Sequence, residues 1–202
     1  KVLDWFEAVE GKEHFDSALE KGRGVIGVSA HIGNWELGAA WIGQHANSAA
    51  IARAADSPFQ RELIEELRSA ENTLIIDKRE PMTRAISHLR KNGFLAILSD
   101  QHGGGNGLMV PFMGQVTSTV AGAAVFAYFT HAPILPVSIV RIAPFRLKIV
   151  FEAPIEWEKG TDRDSTIEDI TVKVNLALEK MIKRTPGQWL WQHKRFKDVI
   201  CG

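Results

Sequence analysis

A histidine and a carboxylate separated by four residues, His31-Ile-Gly-Asn-Trp-Glu36, stand directly after the apolar run Val25–Ala30. Histidine is the side chain whose ordinary pKa lies nearest neutrality, so it can take a proton from a substrate and return it, while a carboxylate holds the ring and supports its charged form. On one continuous helix the two side chains would point about 140° apart. They can meet only if His31 precedes the helix, on a strand-to-helix turn, with Glu36 in the first turn. Gly33 and Asn34 suit such a turn. A second carboxylate, Asp100, follows another apolar run, Phe94–Ser99, and would lie beside His31 if the two strands are neighbours. Either acid could orient the imidazole. The plain alternative is a satisfied histidine at a strand end with two ordinary capping acids.

The elements that must position these residues alternate along the chain. Residues 3–20 carry Leu3, Phe6, Val9, Phe15 and Leu19 on a rough helical period, and a helix is expected there. Strands are expected at Val25–Ala30, Ser48–Arg53, Thr73–Asp77 and Phe94–Ser99, with helices at Gly33–Gln44, from Asp56-Ser-Pro58 to about Ala70, and at Pro81–Asn92. A glycine-rich loop, Gln101–Gly107, precedes a short strand at Leu108–Phe112. An apolar helix at Ser118–His131, strands at Ile134–Val140 and Leu147–Glu152, and an amphipathic helix at Thr166–Arg184 complete the order. Repeated strand–helix–strand units predict an α/β fold, a mainly parallel mixed sheet flanked by helices. Without a linker or a repeat, residues 1–202 read as a single domain.

Composition narrows the chemistry. Of 202 residues, 45% are hydrophobic, and 24 basic side chains balance 24 acidic ones, which disfavours a general nucleic-acid partner. The single cysteine, Cys201, offers no disulfide framework and no thiol nucleophile within the fold. Gly22-Arg-Gly-Val-Ile-Gly27 has dinucleotide-loop spacing but precedes a strand instead of following one. Gly103–Gly107 lacks the Lys-Ser/Thr ending of a phosphate loop, and neither G-x-S-x-G nor H-E-x-x-H occurs. The seven histidines show no metal-ligand spacing, so no metal or cofactor is expected. Trp189, Trp191, His193, Lys194, Arg195, Phe196 and Lys197 cluster in the tail, where aromatics and cations could grip a lipid headgroup, or where the tryptophans pack inward and the cations stay wet.

Three blocks in order resemble one family. His31-Ile-Gly-Asn-Trp-Glu36 is similar to its His-x-x-x-x-Asp/Glu motif. Ser99-Asp-Gln101 with Val110-Pro-Phe-Met-Gly114 and Thr117-Ser-Thr119 resembles its Asp-Gln and Val-Pro-Phe-Phe-Gly block, and Pro186–Lys197 its C-terminal Pro-x-Gln-x-x-Trp-x-His-x-Arg-Phe-Lys. The family is that of the bacterial lipid A biosynthesis (lauroyl/myristoyl) acyltransferases, within the lysophospholipid acyltransferase superfamily. The resemblance implies transfer of a fatty acyl chain from an acyl carrier protein thioester, or acyl-CoA, to a hydroxyl of a glycolipid at the cytoplasmic face of a bacterial inner membrane. It casts His31 as general base, Glu36 as its orienting acid, Asp100 as an additional or competing partner, and Arg68 as a cation near the site. Arg53, Asn34, Gln101 and Arg195 are expected to bind substrate, although Arg53 is followed by Ala-Ala-Asp where relatives have proline. Relatives carry an N-terminal hydrophobic anchor not seen here, and the loop Gln101–Gly107 departs from the usual acidic and aromatic residues. A phosphatidylinositol mannoside-like acceptor or a non-catalytic lipid-binding module are the competing expectations.

Overall fold

A computed structural model of the chain describes residues 2–52 and 73–199. After a single 3-10 turn at Val2–Trp5 come β1 (Phe6–Glu10), α1 (Lys12–Glu20), β2 (Val25–Ser29), α2 (Trp35–His45) and β3 (Ser48–Ala52). Then follow β4 (Thr73–Asp77), α3 (Met82–Arg90), β5 (Phe94–Leu98), β6 (Leu108–Phe112) and β7 (Gln115–Thr119). The chain closes with α4 (Gly122–Thr130), β8 (Ile134–Ala143), β9 (Arg146–Phe151) and α5 (Arg163–Arg184). The expected helix from Asp56 to Ala70, with Arg53 and Arg68, lies outside the described residues.

Seven strands form one sheet in the order β1-β9-β8-β2-β5-β3-β4, all neighbours parallel except the β8–β9 hairpin. This is the expected mainly parallel α/β sheet. β2 is buried at all five positions because helices cover both faces, as parallel sheets require. Ile26 and Val28 pack with Leu89, Phe126, Ile170, Val174 and Leu178 on the face of α3, α4 and α5. Val25 joins Phe15, Trp41, Leu135 and Phe151 on the face of α1 and α2. In α5 the buried positions Ile167, Ile170, Val174, Leu178, Met181 and Ile182 recur at helical spacing, and Asp162 caps the first turn by accepting from Ser165 N at 2.7 Å. Among the described residues no helix is long and apolar enough to cross a membrane.

Two stretches differ from expectation. Residues 3–20 are not one helix, because Phe6–Glu10 pairs with β9 as an edge strand. Gly11 then breaks the chain at φ 67°, where any Cβ would sit 2.0 Å from the Phe151 carbonyl oxygen. Apolar residues at 3, 6 and 9 fit a helix locally, but pairing with a strand far along the chain overrides that period. The apolar helix starts at Gly122 instead of Ser118, because Thr117–Thr119 lies in β7 and closes a hairpin on β6.

Candidate functional site

His31 sits two residues beyond β2, on the turn into α2, as the spacing requires. The turn is tied to β8: Asn34 N donates to Ile139 O at 3.3 Å, and Gly33 at φ 60° approaches so closely that a Cβ would meet that oxygen at 1.9 Å. Asn34 is the N-cap of α2, its side chain accepting from Leu37 N at 3.2 Å. Its first visible task is therefore to start the helix.

The carboxylate on the imidazole is Asp100. β5 neighbours β2 in a register that pairs Ser29 with Leu98, so the residues two beyond each, His31 and Asp100, stand level at the sheet's C-terminal edge. This is where open α/β sheets place their sites. Asp100 Oδ1 lies 2.7 Å from His31 Nδ1, while Oδ2 accepts from the His31 backbone N–H at 3.0 Å and from Trp189 Nε1–H at 2.7 Å. Asp100 is 3% exposed. Burial alone would push its pKa up, but bonds from the His31 ring, the Trp189 indole and the His31 backbone together hold it below the usual carboxylate value. An ionised carboxylate only accepts, so Nδ1 carries the imidazole proton and the Nε2 lone pair faces outward. Gln101 Nε2 stands 3.3 Å from it, where an incoming hydroxyl could replace the amide. Trp35 meets the His31 ring edge-on at 4.9 Å.

Glu36 lies one turn further, exposed in the first turn of α2, away from the Nδ1 position that Asp100 occupies. It lines the mouth of an apolar cleft between α2 and the sheet, together with Trp35, Gly38, Ile42, Ala50 and Ala96. The floor of the cleft follows from register: Gly27 pairs with Ala96 and Ala96 with Ala50. Three small residues in one row leave a trough under the helix.

Arg195 is inside the protein, not at an open binding surface. It is 1% exposed, donates to Ser118 O and Thr119 Oγ1 at 2.6 Å each, and lies 4.5 Å over the Phe112 ring. Withdrawing a cation from water costs several kcal/mol unless such partners offset it, so Arg195 braces the β6–β7 hairpin against the tail. Asp198 continues the brace, accepting from Ser118 N at 3.0 Å and meeting His102 Nε2 at 2.5 Å.

Trp189 was not among the expected site residues. Its cue was the aromatic tail, but only the fold shows that Leu190 N donates to His31 O and Gly33 N to Gln188 O, both at 3.0 Å. The tail runs alongside the His31 turn and delivers the indole to Asp100.

A family model described as bacterial lipid A biosynthesis acyltransferase matches residues 1–198. The lipid A biosynthesis palmitoleoyltransferase of Escherichia coli (strain K12) is 28% identical over 204 residues, covering 100% of this chain and 65% of that protein. The lipid A biosynthesis lauroyltransferase of the same strain is 25% identical over 199 residues, 98% of this chain and 63% of its own length. A phosphatidylinositol mannoside acyltransferase of Mycobacterium tuberculosis (strain CDC 1551 / Oshkosh) is 29% identical over 133 residues, 63% of this chain and 42% of that protein. The chain thus spans somewhat less than two thirds of the curated relatives it matches over its full length.

Proposed function

This chain belongs to the bacterial lipid A biosynthesis acyltransferase family, and from that premise we propose that it transfers a fatty acyl chain from a thioester to a hydroxyl of a glycolipid at a membrane surface. The observation that carries the reading is the 2.7 Å contact between His31 Nδ1 and Asp100 Oδ1 at the edge of an apolar cleft.

In this reading His31 Nε2 takes the proton of the acceptor hydroxyl as its oxygen attacks the thioester carbonyl. Asp100 fixes the tautomer and balances the imidazolium that forms. The tetrahedral intermediate collapses with cleavage of the carbon–sulfur bond, and the imidazolium returns its proton to the leaving thiolate. No acyl-enzyme is required. The cleft under α2 takes the acyl chain, and Glu36 at its mouth supports the reacting centre electrostatically. Gln101 yields its place at Nε2 to the acceptor hydroxyl. Arg53 and Arg68 enter only through the family resemblance, as cations for a headgroup or for the oxyanion.

The donor is proposed to be an acyl carrier protein thioester and the acceptor a lipid A-type glycolipid. Likeness to the phosphatidylinositol mannoside acyltransferase keeps that second acceptor class in view. Incubating the chain with acyl carrier protein and coenzyme A thioesters, against both acceptor classes, and weighing the products decides donor and acceptor together. Absence of an acylated product in every combination overturns the enzymatic reading in favour of a lipid-binding module.

A further inference from the structure

A second cavity opens on the same sheet edge, between the N-terminal turn, the N-cap of α2 and the end of the β8–β9 hairpin. It is lined by Trp5, Asn34, Arg141, Pro144, Phe145 and Leu147, an aromatic and cationic lining of the kind that small-molecule sites combine. We propose that this pocket holds the phosphorylated sugar headgroup of the acceptor, a proposal that rests on the glycolipid acyltransfer reading above.

Four features support it. First, Arg141 is exposed, and its guanidinium makes no ion pair among the described residues. The neighbouring cation Arg146 is by contrast taken by Glu7. A planar guanidinium is suited to paired hydrogen bonds with a phosphate. Second, the backbone of Arg141 is fixed from both sides: its N–H donates to Gln188 Oε1 and its carbonyl accepts from Gln188 Nε2, each at 2.9 Å. A bulge between Arg141 and Ala143 redirects the strand here. Third, Trp5 and Phe145 meet edge-to-face at 5.0 Å, giving the pocket an aromatic wall for the apolar face of a pyranose ring. Phe145 is 69% exposed and holds φ 58°, a left-handed position that disfavours bulky side chains. The hairpin keeps an aromatic where glycine would be less strained. Fourth, Asn34 caps α2 through its Oδ1, which leaves its amide N–H groups for a ligand.

The pocket is also placed for the reaction. Asn34 follows His31 by three residues and bonds Ile139 O, and Arg141 lies about 7 Å further along the same strand. Gln188 holds Arg141, and the next residues of that tail hold His31 and Asp100. Headgroup pocket and imidazole therefore share one hydrogen-bonded frame. The phosphopantetheine arm of an acyl carrier protein is one competing occupant, but that flexible chain has no ring to set against Trp5 and Phe145; the adenosine of an acyl-CoA is the other, and the donor KM separates it from the acceptor.

The test separates these occupants. The 202-residue chain carrying 5-fluorotryptophan is titrated with glucosamine 1-phosphate, glucosamine or inorganic phosphate, and the Trp5 fluorine resonance, identified with Trp5→Phe, is followed. The sugar phosphate is expected to bind at least tenfold more tightly than either half alone, and Arg141→Gln to weaken it at least tenfold. Phe145→Gly should weaken binding while thermal stability is kept or raised, which excludes misfolding as the cause. Equal binding of inorganic phosphate, or indifference to Arg141→Gln, overturns the pocket. In turnover assays Arg141→Gln should raise KM for a phosphorylated acceptor about tenfold, with kcat and the donor KM unchanged. A rise in donor KM instead assigns the pocket to the donor and overturns the proposal. If the wild-type chain acylates nothing while the titration holds, the acyltransfer reading falls and the pocket stands.

Discussion

Trp189 donates its indole N–H to Asp100 Oδ2 at 2.7 Å, on the oxygen that also accepts the backbone N–H of His31. The indole is 6% exposed, so the bond forms away from competing water, and a hydrogen bond to a charged group is worth about 1.5–3 kcal/mol. Trp189→Phe keeps most of the ring packing and removes only this donor. Turnover should fall about tenfold or more, and acid unfolding of the variant should begin at higher pH, because one of the groups that lowers the Asp100 pKa is gone. Acid unfolding at an unchanged pH with reduced turnover would mean that Trp189 acts through packing alone.

Asp100→Asn tests the orienting group directly. An amide can turn its NH2 toward Nδ1, which favours the tautomer with the proton on Nε2 and removes the lone pair the reaction needs. Turnover should fall by about a hundredfold or more, measured at a temperature where the variant's unfolding transition shows it to be folded. Glu36→Gln should reduce turnover less, because Glu36 does not occupy the Nδ1 side of the ring. Single-turnover rates for the two variants decide the order, and a larger loss at Glu36 would return the orienting role to that residue.

Much of this arrangement was legible locally. The apolar run ending at His31 and the Gly33-Asn34 turn are short-range signals, and they place the imidazole before α2. Which of the two candidate acids is the partner was not legible, because β3 and β4 intervene between β2 and β5 in sequence, and only the strand order sets His31 level with Asp100. The same limit explains β1, whose Phe6 and Val9 suit a helix until β9 offers hydrogen bonds from the other end of the chain. Arg195 was expected to bind substrate, and its burial was not legible because its three oxygen partners, Thr117, Ser118 and Thr119, are remote in sequence. Side chains whose partners lie within a turn could be read, and those whose partners cross the sheet could not.

Acid should weaken the fold in two stages. Burial lowers the pKa of His88, against the opposing pull of the Phe94 carbonyl it faces at 3.2 Å. The unfolded chain therefore binds the proton more readily, and stability falls as pH drops below the ordinary histidine value near 6.5. Asp100 is also lowered, so its contribution is complete above the ordinary carboxylate value near 3.8 and is lost below it, through the folded pKa. Denaturant midpoints at pH 7 and pH 5 should differ for the wild type. His88→Gln can still donate to Phe94 O and does not titrate, so it should lose most of that difference, and an unchanged difference would exclude His88 as its source.

The trough under α2 makes a prediction about chain length. Ala96 lies at the centre of the row Gly27–Ala96–Ala50, and it lines the cleft as a partly exposed alanine under the helix. Ala96→Leu adds three carbons into that space without meeting the close contact that forbids a side chain at Gly27, where a Cβ would stand 2.3 Å from the Phe94 ring. If the cleft holds the acyl chain, the variant should favour shorter donors. Relative rates across a series of saturated thioesters should fall about tenfold for the longest chains and stay nearly level for the shortest, since each excluded methylene forfeits about 0.8 kcal/mol of burial. The His31–Asp100 pair is untouched, so kcat on short donors serves as the internal control. A uniform loss at every length would mean the leucine disturbs the sheet, and an unchanged preference would place the acyl chain elsewhere.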